Sequence, residues 1–189
     1  MQVKTPFSKK FMDTAPLLVK AGLILPRETA ELSKGLYAVP LPVDKITQFG
    51  SKGISPTHQG QVSNAIDFFV PEGTDVLAAG NGKVVELRSS SREKGMTVDF
   101  WDRGNFVEIY HAEFDEYTWY EHLMADKVFV KVGDTVKEGQ VIALSGNTGF
   151  TEVPHLHFQV HRYLGKGWTD YITLRARLKW DKDPYRFND

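Results

Sequence analysis

From Ile46 onward the chain is a succession of short strand-forming runs, each closed by Gly, Asn, Asp or Pro. The runs are rich in Val, Ile, Phe, Tyr and Thr, and no long stretch of helical periodicity interrupts them. Many short strands at close spacing predict an all-β fold of antiparallel sheets arranged as a sandwich or barrel. The predicted strands are residues 75–79, 82–87, 96–100, 106–110, 117–122, 128–131, 140–144 and 155–160.

The N-terminal part of the chain, before Ile46, does not have this pattern of short strands. Residues 14–25 have helix-compatible spacing, and residues 29–32 predict a second turn of helix before Gly35. Residues 36–43 predict extended backbone, because each proline disfavours helix in the residue before it.

We therefore divide the chain into a partly helical N-terminal extension (1–45), one core domain (46–165) and a C-terminal tail (166–189). The tail carries Trp168, Trp180 and Tyr185, and we expect it to pack against the core.

The overall composition excludes several classes of function. Lys plus Arg is 23 and Asp plus Glu is 24, so a net charge of −1 argues against nucleic-acid binding driven by charge. The absence of cysteine excludes disulfides and thiolate metal sites.

No run approaches the roughly 20 apolar residues of a membrane span. The closest run, residues 15–26, follows Lys9 and Lys10 as a signal peptide would. However, it contains Lys20, follows Asp13 and lacks a cleavage site, so we expect a short amphipathic helix instead.

The segment His155-Leu156-His157 places two imidazoles on one face of a predicted strand, about 6–7 Å apart. One imidazole could bind a metal while the other contacts a substrate atom beside it. Two surface histidines on a half-exposed strand would give the same pattern.

Asp67 lies within the apolar residues 65–70, where an isolated carboxylate is costly unless it is paired or binds a metal. His58 precedes it by nine residues. Two histidines and one carboxylate around an open position form a catalytic zinc site. Alternatively, Asp67 ends a strand and accepts hydrogen bonds from a turn.

His122 ends the predicted strand 117–122, and alternation places it on one face with Thr118 and Tyr120. An imidazole there could transfer a proton or stabilise an oxyanion. It could equally be an ordinary half-buried histidine.

A series of ordered sequence blocks extends over about residues 55–162. The blocks are Gly60, NAIDF (64–68), PEGT (71–74), VLAA (76–79), GKVV (82–85), YEHL (120–123), VGDTVKEGQVI (132–142), GNTG (146–149) and PHLHF (154–158). This series resembles the lysostaphin-type zinc metallo-endopeptidases, which cut peptide bonds in bacterial cell-wall peptidoglycan. The fold that the resemblance implies is an antiparallel barrel-sandwich hybrid of the duplicated-hybrid-motif type.

The resemblance also implies roles for individual residues. His157 and Asp67 match zinc ligands, and His155 and His122 match two catalytic histidines that do not bind the metal. One Zn²⁺ is expected per chain.

The first zinc histidine departs from the family's usual His-x3-Asp spacing, which would place it at Ser63. Because serine is a poor zinc ligand and longer loops occur in the family, we assign His58 as the ligand. Asn64 or an open position is the fallback.

Two further histidines have minor roles in this interpretation. His111 lies at a position that is often histidine in such enzymes without binding the metal, and we interpret it as structural. His161 is expected at the surface, or behind the ligands if the strand continues.

These observations predict a monomeric zinc endopeptidase that acts on peptidoglycan or a glycine-rich peptide, with His155 as the base and His122 as the oxyanion or leaving-group partner. The resemblance implies a location in the cell envelope or outside the cell. The alternative is a non-catalytic relative that binds cell wall or regulates a partner hydrolase. A lipoyl-type carrier domain is disfavoured, because the only nearby Asp-Lys pair, Asp126-Lys127, lies too close to Gly133.

Overall fold

The computed structural model describes residues 5–165 and 169–185, so Trp168 lies outside the described residues. Short 3₁₀ turns occur at Val43–Lys45, Gly60–Val62 and Val98–Phe100. The helices are α1 (Lys9–Met12) and α2 (Ala15–Lys20). The strands are β1 (Leu32–Tyr37), β2 (Gln48–Gly50), β3 (Ile66–Phe69), β4 (Asp75–Leu77), β5 (Gly82–Arg88), β6 (Lys94–Gly95), β7 (Phe106–His111), β8 (Glu116–Glu121), β9 (Leu123–Val128), β10 (Thr135–Val136), β11 (Val141–Ser145), β12 (Gly149–Phe150), β13 (Leu156–Tyr163) and β14 (Tyr171–Leu178).

A nine-stranded sheet forms the centre of the molecule. Its strands follow the order β1-β14-β13-β8-β7-β5-β10, with β3 beside β13 and β2 beside β3. The pairs from β14 to β10 are antiparallel, whereas β1 and β14 pair in parallel. Two smaller sheets, β4-β11-β9 and β6-β12, accompany it. The all-β fold class is therefore confirmed.

β13 positions the site, because it pairs with β8 along one edge and with β3 and β14 along the other. Its side chains alternate between two buried environments. Leu156, Phe158 and Val160 point into the apolar core with Tyr120 and Phe68. The residues between them face the opposite side of the sheet, where polar groups collect.

Two predicted strands are wrong. Residues 96–100 instead contain a 3₁₀ turn, because the Thr97 hydroxyl bonds the Asp99 carboxylate and the backbone curls. Of residues 128–131, only Val128 lies in a strand, as the last residue of β9. Asp134 ends the extended backbone by accepting a hydrogen bond from the Lys131 N–H and returning one to its carbonyl.

The N-terminal extension is helical only in its first part. Of the predicted residues 14–25, Ala15–Lys20 are helical, and α1 was missed. The predicted turn of helix at 29–32 is wrong, because residue 32 already begins β1 beside β14.

At the other end of the chain, Tyr171–Leu178 is a strand of the main sheet, between β1 and β13. The domain boundaries at residues 45 and 165 stay a prediction. Within the described ranges, no helix has the length and apolar character that a membrane crossing requires.

Glu116 holds β1 in place. Its buried carboxylate accepts hydrogen bonds from the Lys34 and Gly35 N–H groups and from the Tyr37 hydroxyl. Glu116→Ala should lower the free energy of unfolding by about 2–4 kcal/mol, because three donors lose their acceptor. Urea unfolding measures this, with the exposed Glu113→Ala as control. Equal stability of the two variants would contradict the role of Glu116.

Candidate metal centre

Asp67 and the two histidines predicted beside it converge on one buried point. The pairing of β3 with β13 sets Asp67 directly opposite His157, and the loop before the 3₁₀ turn at Gly60–Val62 adds His58. Asp67 Oδ1 lies 3.0 Å from His157 Nδ1 and 3.2 Å from His58 Nε2. The two nitrogens are 3.5 Å apart.

A hydrogen bond to the Ser51 carbonyl fixes the orientation of the His58 ring. Its Nδ1–H donates to the Ser51 carbonyl at 2.9 Å, so a neutral ring carries its lone pair on Nε2, which faces Asp67. The loop depends on Gly60, which has a φ of 55°. A Cβ at that position would lie 2.2 Å from the Leu25 carbonyl oxygen, so only glycine fits.

These three side chains fit a divalent metal ion, and His58, Asp67 and His157 together form a group that could hold one. Asp67 is 0% exposed, and its Oδ2 finds no hydrogen-bond partner among the described residues. Ligand atoms about 2.0–2.1 Å from a tetrahedral zinc ion lie about 3.3 Å apart, close to the separations observed. Two imidazole nitrogens and a carboxylate, without thiolate, are ligands that suit zinc.

The charges of the cluster also favour a bound cation. Burial alone would raise the pKa of Asp67, but His58, His155 and the hydrogen bond from His157 hold that pKa well below its usual value. The carboxylate is therefore negative at neutral pH. A cation among these side chains would neutralise it and satisfy the unpaired oxygen.

His155 lies beside this group, immediately before β13. Its Nδ1–H donates to the Val153 carbonyl at 2.8 Å, and its Nε2 lies 3.6 Å from Asp67 Oδ1. Burial lowers the pKa of His155 to about 3, so the ring is neutral at neutral pH with its lone pair on Nε2.

His122 lies on the other side of His155, with the ring centroids 4.5 Å apart. Its Nδ1–H donates to the Thr148 carbonyl at 2.7 Å, and burial lowers its pKa. The predicted common face with Thr118 and Tyr120 is wrong. Those two hydroxyls bond each other on the core side, whereas a φ of 65° breaks the alternation at His122 and turns its ring toward the site.

A cleft of about 300 Å³ opens onto His122 and His157 and gives access to the centre. Its walls combine aromatic rings with a few charged groups, as expected of a surface that binds an extended polar chain. The wall residues include Glu86, Arg88, Trp101, Phe106, Trp119 and Tyr163.

The N-terminal strap, which we define as residues 5–25, packs against the His155 and Phe150 rings. The Phe7 ring meets the His155 ring edge-on at 5.4 Å, and Phe11 packs on Phe150 at 4.8 Å. The Ser8 N–H donates to the Glu152 carboxylate at 2.6 Å. The strap contributes to the burial of His155, and the sequence analysis gave it no such role.

The structure also locates the remaining candidates. The Asn64 amide donates to the Thr29 and Thr173 carbonyls, so it does not belong to the metal group. His111 is buried between the Asn81 carbonyl and the Thr118 hydroxyl, outside the metal group.

The expected surface location of His161 is wrong. It is 1% exposed, because β13 continues to Tyr163 and His161 lies on the same buried face of that strand as His157.

The sequence matches peptidase family M23 over residues 61–169, more than half of the chain. The chain belongs to peptidase family M23. The matched segment contains Asp67, His122, His155 and His157 but begins after His58. The inclusion of His58 in the metal group therefore rests on the geometry.

Two curated relatives illustrate the range of this M23 chain's similarity. Lysostaphin of Staphylococcus staphylolyticus is 40% identical over 100 residues, 53% of this chain and 18% of that protein. The peptidoglycan DD-endopeptidase ShyB of Vibrio cholerae is 34% identical over 154 residues, 78% of this chain and 33% of that protein. The chain thus spans a third or less of the length of either relative.

Among solved structures, the catalytic domain of lysostaphin from Staphylococcus simulans is 30% identical to the chain. The match covers 74% of this chain and 86% of that domain, with a TM-score of 0.45.

Proposed function

We propose that this M23 chain is a zinc-dependent endopeptidase that hydrolyses peptide bonds in bacterial peptidoglycan. The observation that carries the proposal is the buried His58, Asp67 and His157 group, with its unpaired carboxylate oxygen, beside two further histidines at a cleft. The name of the Vibrio cholerae relative, a peptidoglycan DD-endopeptidase, supports the substrate class. One zinc per chain, a monomeric state and a location in the cell envelope or outside the cell are parts of the same proposal.

In this proposal His58 Nε2, His157 Nδ1 and an Asp67 carboxylate oxygen hold the metal. When bound, zinc supplies polarisation of the scissile carbonyl and a lowered pKa for a coordinated water. The buried surroundings of the three side chains keep other water away from the reacting bond.

His155 is the general base. Because its Nδ1–H is engaged by the Val153 carbonyl, its Nε2 is free to accept the proton of the attacking water. His122 has the matching arrangement, with Nδ1–H on the Thr148 carbonyl and Nε2 free. A proton on His122 Nε2 would stabilise the developing oxyanion or be donated to the leaving amine.

Metal analysis and peptidoglycan digestion on one preparation test the proposal. We expect one zinc per chain, loss of hydrolysis after removal of zinc with a chelator, and recovery when zinc is added back. Mass analysis of the released fragments identifies the bond, whether a glycine bridge or a stem-peptide cross-link. A zinc-loaded protein that releases no fragment from either type of wall would favour the non-catalytic alternative.

A further inference from the structure

The face of β13 that carries His157 continues with two more buried polar side chains, Gln159 and His161, at every second position. His157 Nε2 lies 3.4 Å from Gln159 Oε1, and Gln159 Nε2 lies 3.4 Å from His161 Nδ1. His161 Nε2 lies 3.0 Å from Oε1 of Glu108, which projects from β7. A continuous hydrogen-bonded chain thus leads away from the proposed metal ligand.

Each hydrogen bond between His157 and Glu108 can have only one assignment of donor and acceptor. The Glu108 carboxylate accepts, so His161 must donate through Nε2–H, which leaves Nδ1 as an acceptor in the neutral ring. That acceptor takes a proton of the Gln159 amide nitrogen, which turns the amide oxygen toward His157. The oxygen accepts from Nε2–H of His157, so a neutral His157 ring carries its lone pair on Nδ1, the atom that faces Asp67.

We propose that Gln159, His161 and Glu108 form a relay of positioning residues that fixes the tautomer and ring orientation of His157 for metal binding. The inference rests on the proposed zinc site. None of the three relay residues belongs to the metal group, and each acts through its neighbour, with Gln159 in direct contact with His157. Partners of this kind hold a ligating histidine in one orientation and raise its affinity for the metal.

The surroundings of the relay restrict it to this arrangement. Glu108, Gln159 and His161 are 3%, 4% and 1% exposed, so their hydrogen bonds are largely shielded from water even though Gln159 and His161 border the cleft. Glu108 Oε1 also accepts from the Tyr163 hydroxyl at 2.8 Å, and the Tyr117 ring stacks on His161 at 5.5 Å. The Tyr171 hydroxyl is a second hydrogen-bond neighbour of Gln159, whose amide nitrogen has a proton to spare for it.

The test measures the zinc dissociation constant of the full chain by competition with a chromophoric chelator. Gln159→Met and His161→Leu keep the side-chain volume but remove the hydrogen bonds, and we expect each to raise the constant about 10- to 100-fold. His161→Gln retains one donor and one acceptor, and it should restore most of the affinity. His111→Leu is the matched control, because it removes another buried hydrogen-bonded histidine of the same sheet without breaking the relay.

A double variant separates a relay from general loss of structure. If His161 acts through Gln159, adding His161→Leu to Gln159→Met should raise the constant no further, whereas independent effects would multiply. The visible absorption spectrum of the Co²⁺-loaded protein should change in both single variants and not in His111→Leu. Thermal unfolding of the zinc-free proteins checks that all variants fold. If His161→Leu does not fold, the zinc dissociation constant of Gln159→Met, compared with that of the unmodified chain, decides the test.

Zinc affinities of Gln159→Met and His161→Leu equal to that of the unmodified chain would overturn the relay and leave the zinc site intact. A loss of affinity in His111→Leu as large as theirs would overturn it too. Failure of the unmodified chain to bind zinc would instead refute the proposed function, so the two failures are distinguishable.

Discussion

Replacement of Asp67 by alanine should abolish both zinc binding and peptidoglycan hydrolysis. The variant removes the one anionic ligand of the proposed site and leaves two neutral imidazoles to hold a divalent cation. Loss of a direct ligand should cost more than the 10- to 100-fold in affinity typical of outer-shell partners. Asp67→Asn keeps the shape while removing the charge, and it should show the same loss without a cavity. Metal analysis and fragment release on the same preparations measure both effects.

His157→Ala and His58→Ala should behave like Asp67→Ala. His58 is the more informative of the two, because it lies outside the segment that matches family M23. Ser63→Ala is its matched control, since Ser63 occupies the usual family spacing and serine is a poor zinc ligand. Full zinc and full activity in His58→Ala would remove it from the site and leave an open position in place of a third protein ligand.

Local sequence patterns predicted four of the nine strands of the main sheet, β5, β7, β8 and β13. The predicted bounds of β7 and β8 are correct to within one residue, whereas β13 runs three residues further than predicted, to Tyr163. The errors occur where polar side chains outweigh β propensity. Asp99 forms a local turn inside the predicted strand 96–100, and Asp134 forms one just after the predicted strand 128–131, and a composition-based prediction does not detect either turn.

β1 and β14 were harder to predict, because their pairing joins residues about 140 positions apart in the chain. The alternating apolar side chains of Tyr171–Leu178 gave a signal for a strand that the sequence analysis did not use. The contribution of Glu116 to β1 lies beyond any local pattern, since its partners come from residues 34–37.

The candidate site was predicted better than its surroundings. The family resemblance pointed to Asp67, His122, His155 and His157, and the chemistry of ligands pointed to His58 once Ser63 was rejected. The roles of these residues stay a prediction. Gln159 was not predicted, although it occupies the position between His157 and His161 on the same strand face. Phe7 was not predicted either, because only the fold brings the strap against His155.

The second large effect should separate catalysis from metal binding. His122→Ala and His155→Ala should retain zinc, because neither ring belongs to the metal group, and yet lose hydrolysis. Removal of one proton-transfer group typically slows a reaction 10²–10⁴-fold, which corresponds to about 3–5 kcal/mol of barrier. The turnover of peptidoglycan per bound zinc is the quantity to measure.

Asparagine variants make this test sharper than alanine variants. In His122→Asn and His155→Asn, the amide N–H can still donate to the Thr148 or Val153 carbonyl, so the local backbone keeps its partner. What disappears is Nε2, the atom that would carry the proton. Full zinc with turnover reduced by at least about 10² would assign the proton to that atom. Loss of zinc from His155→Asn would place His155 among the ligands instead, and unchanged turnover would remove the residue from the reaction.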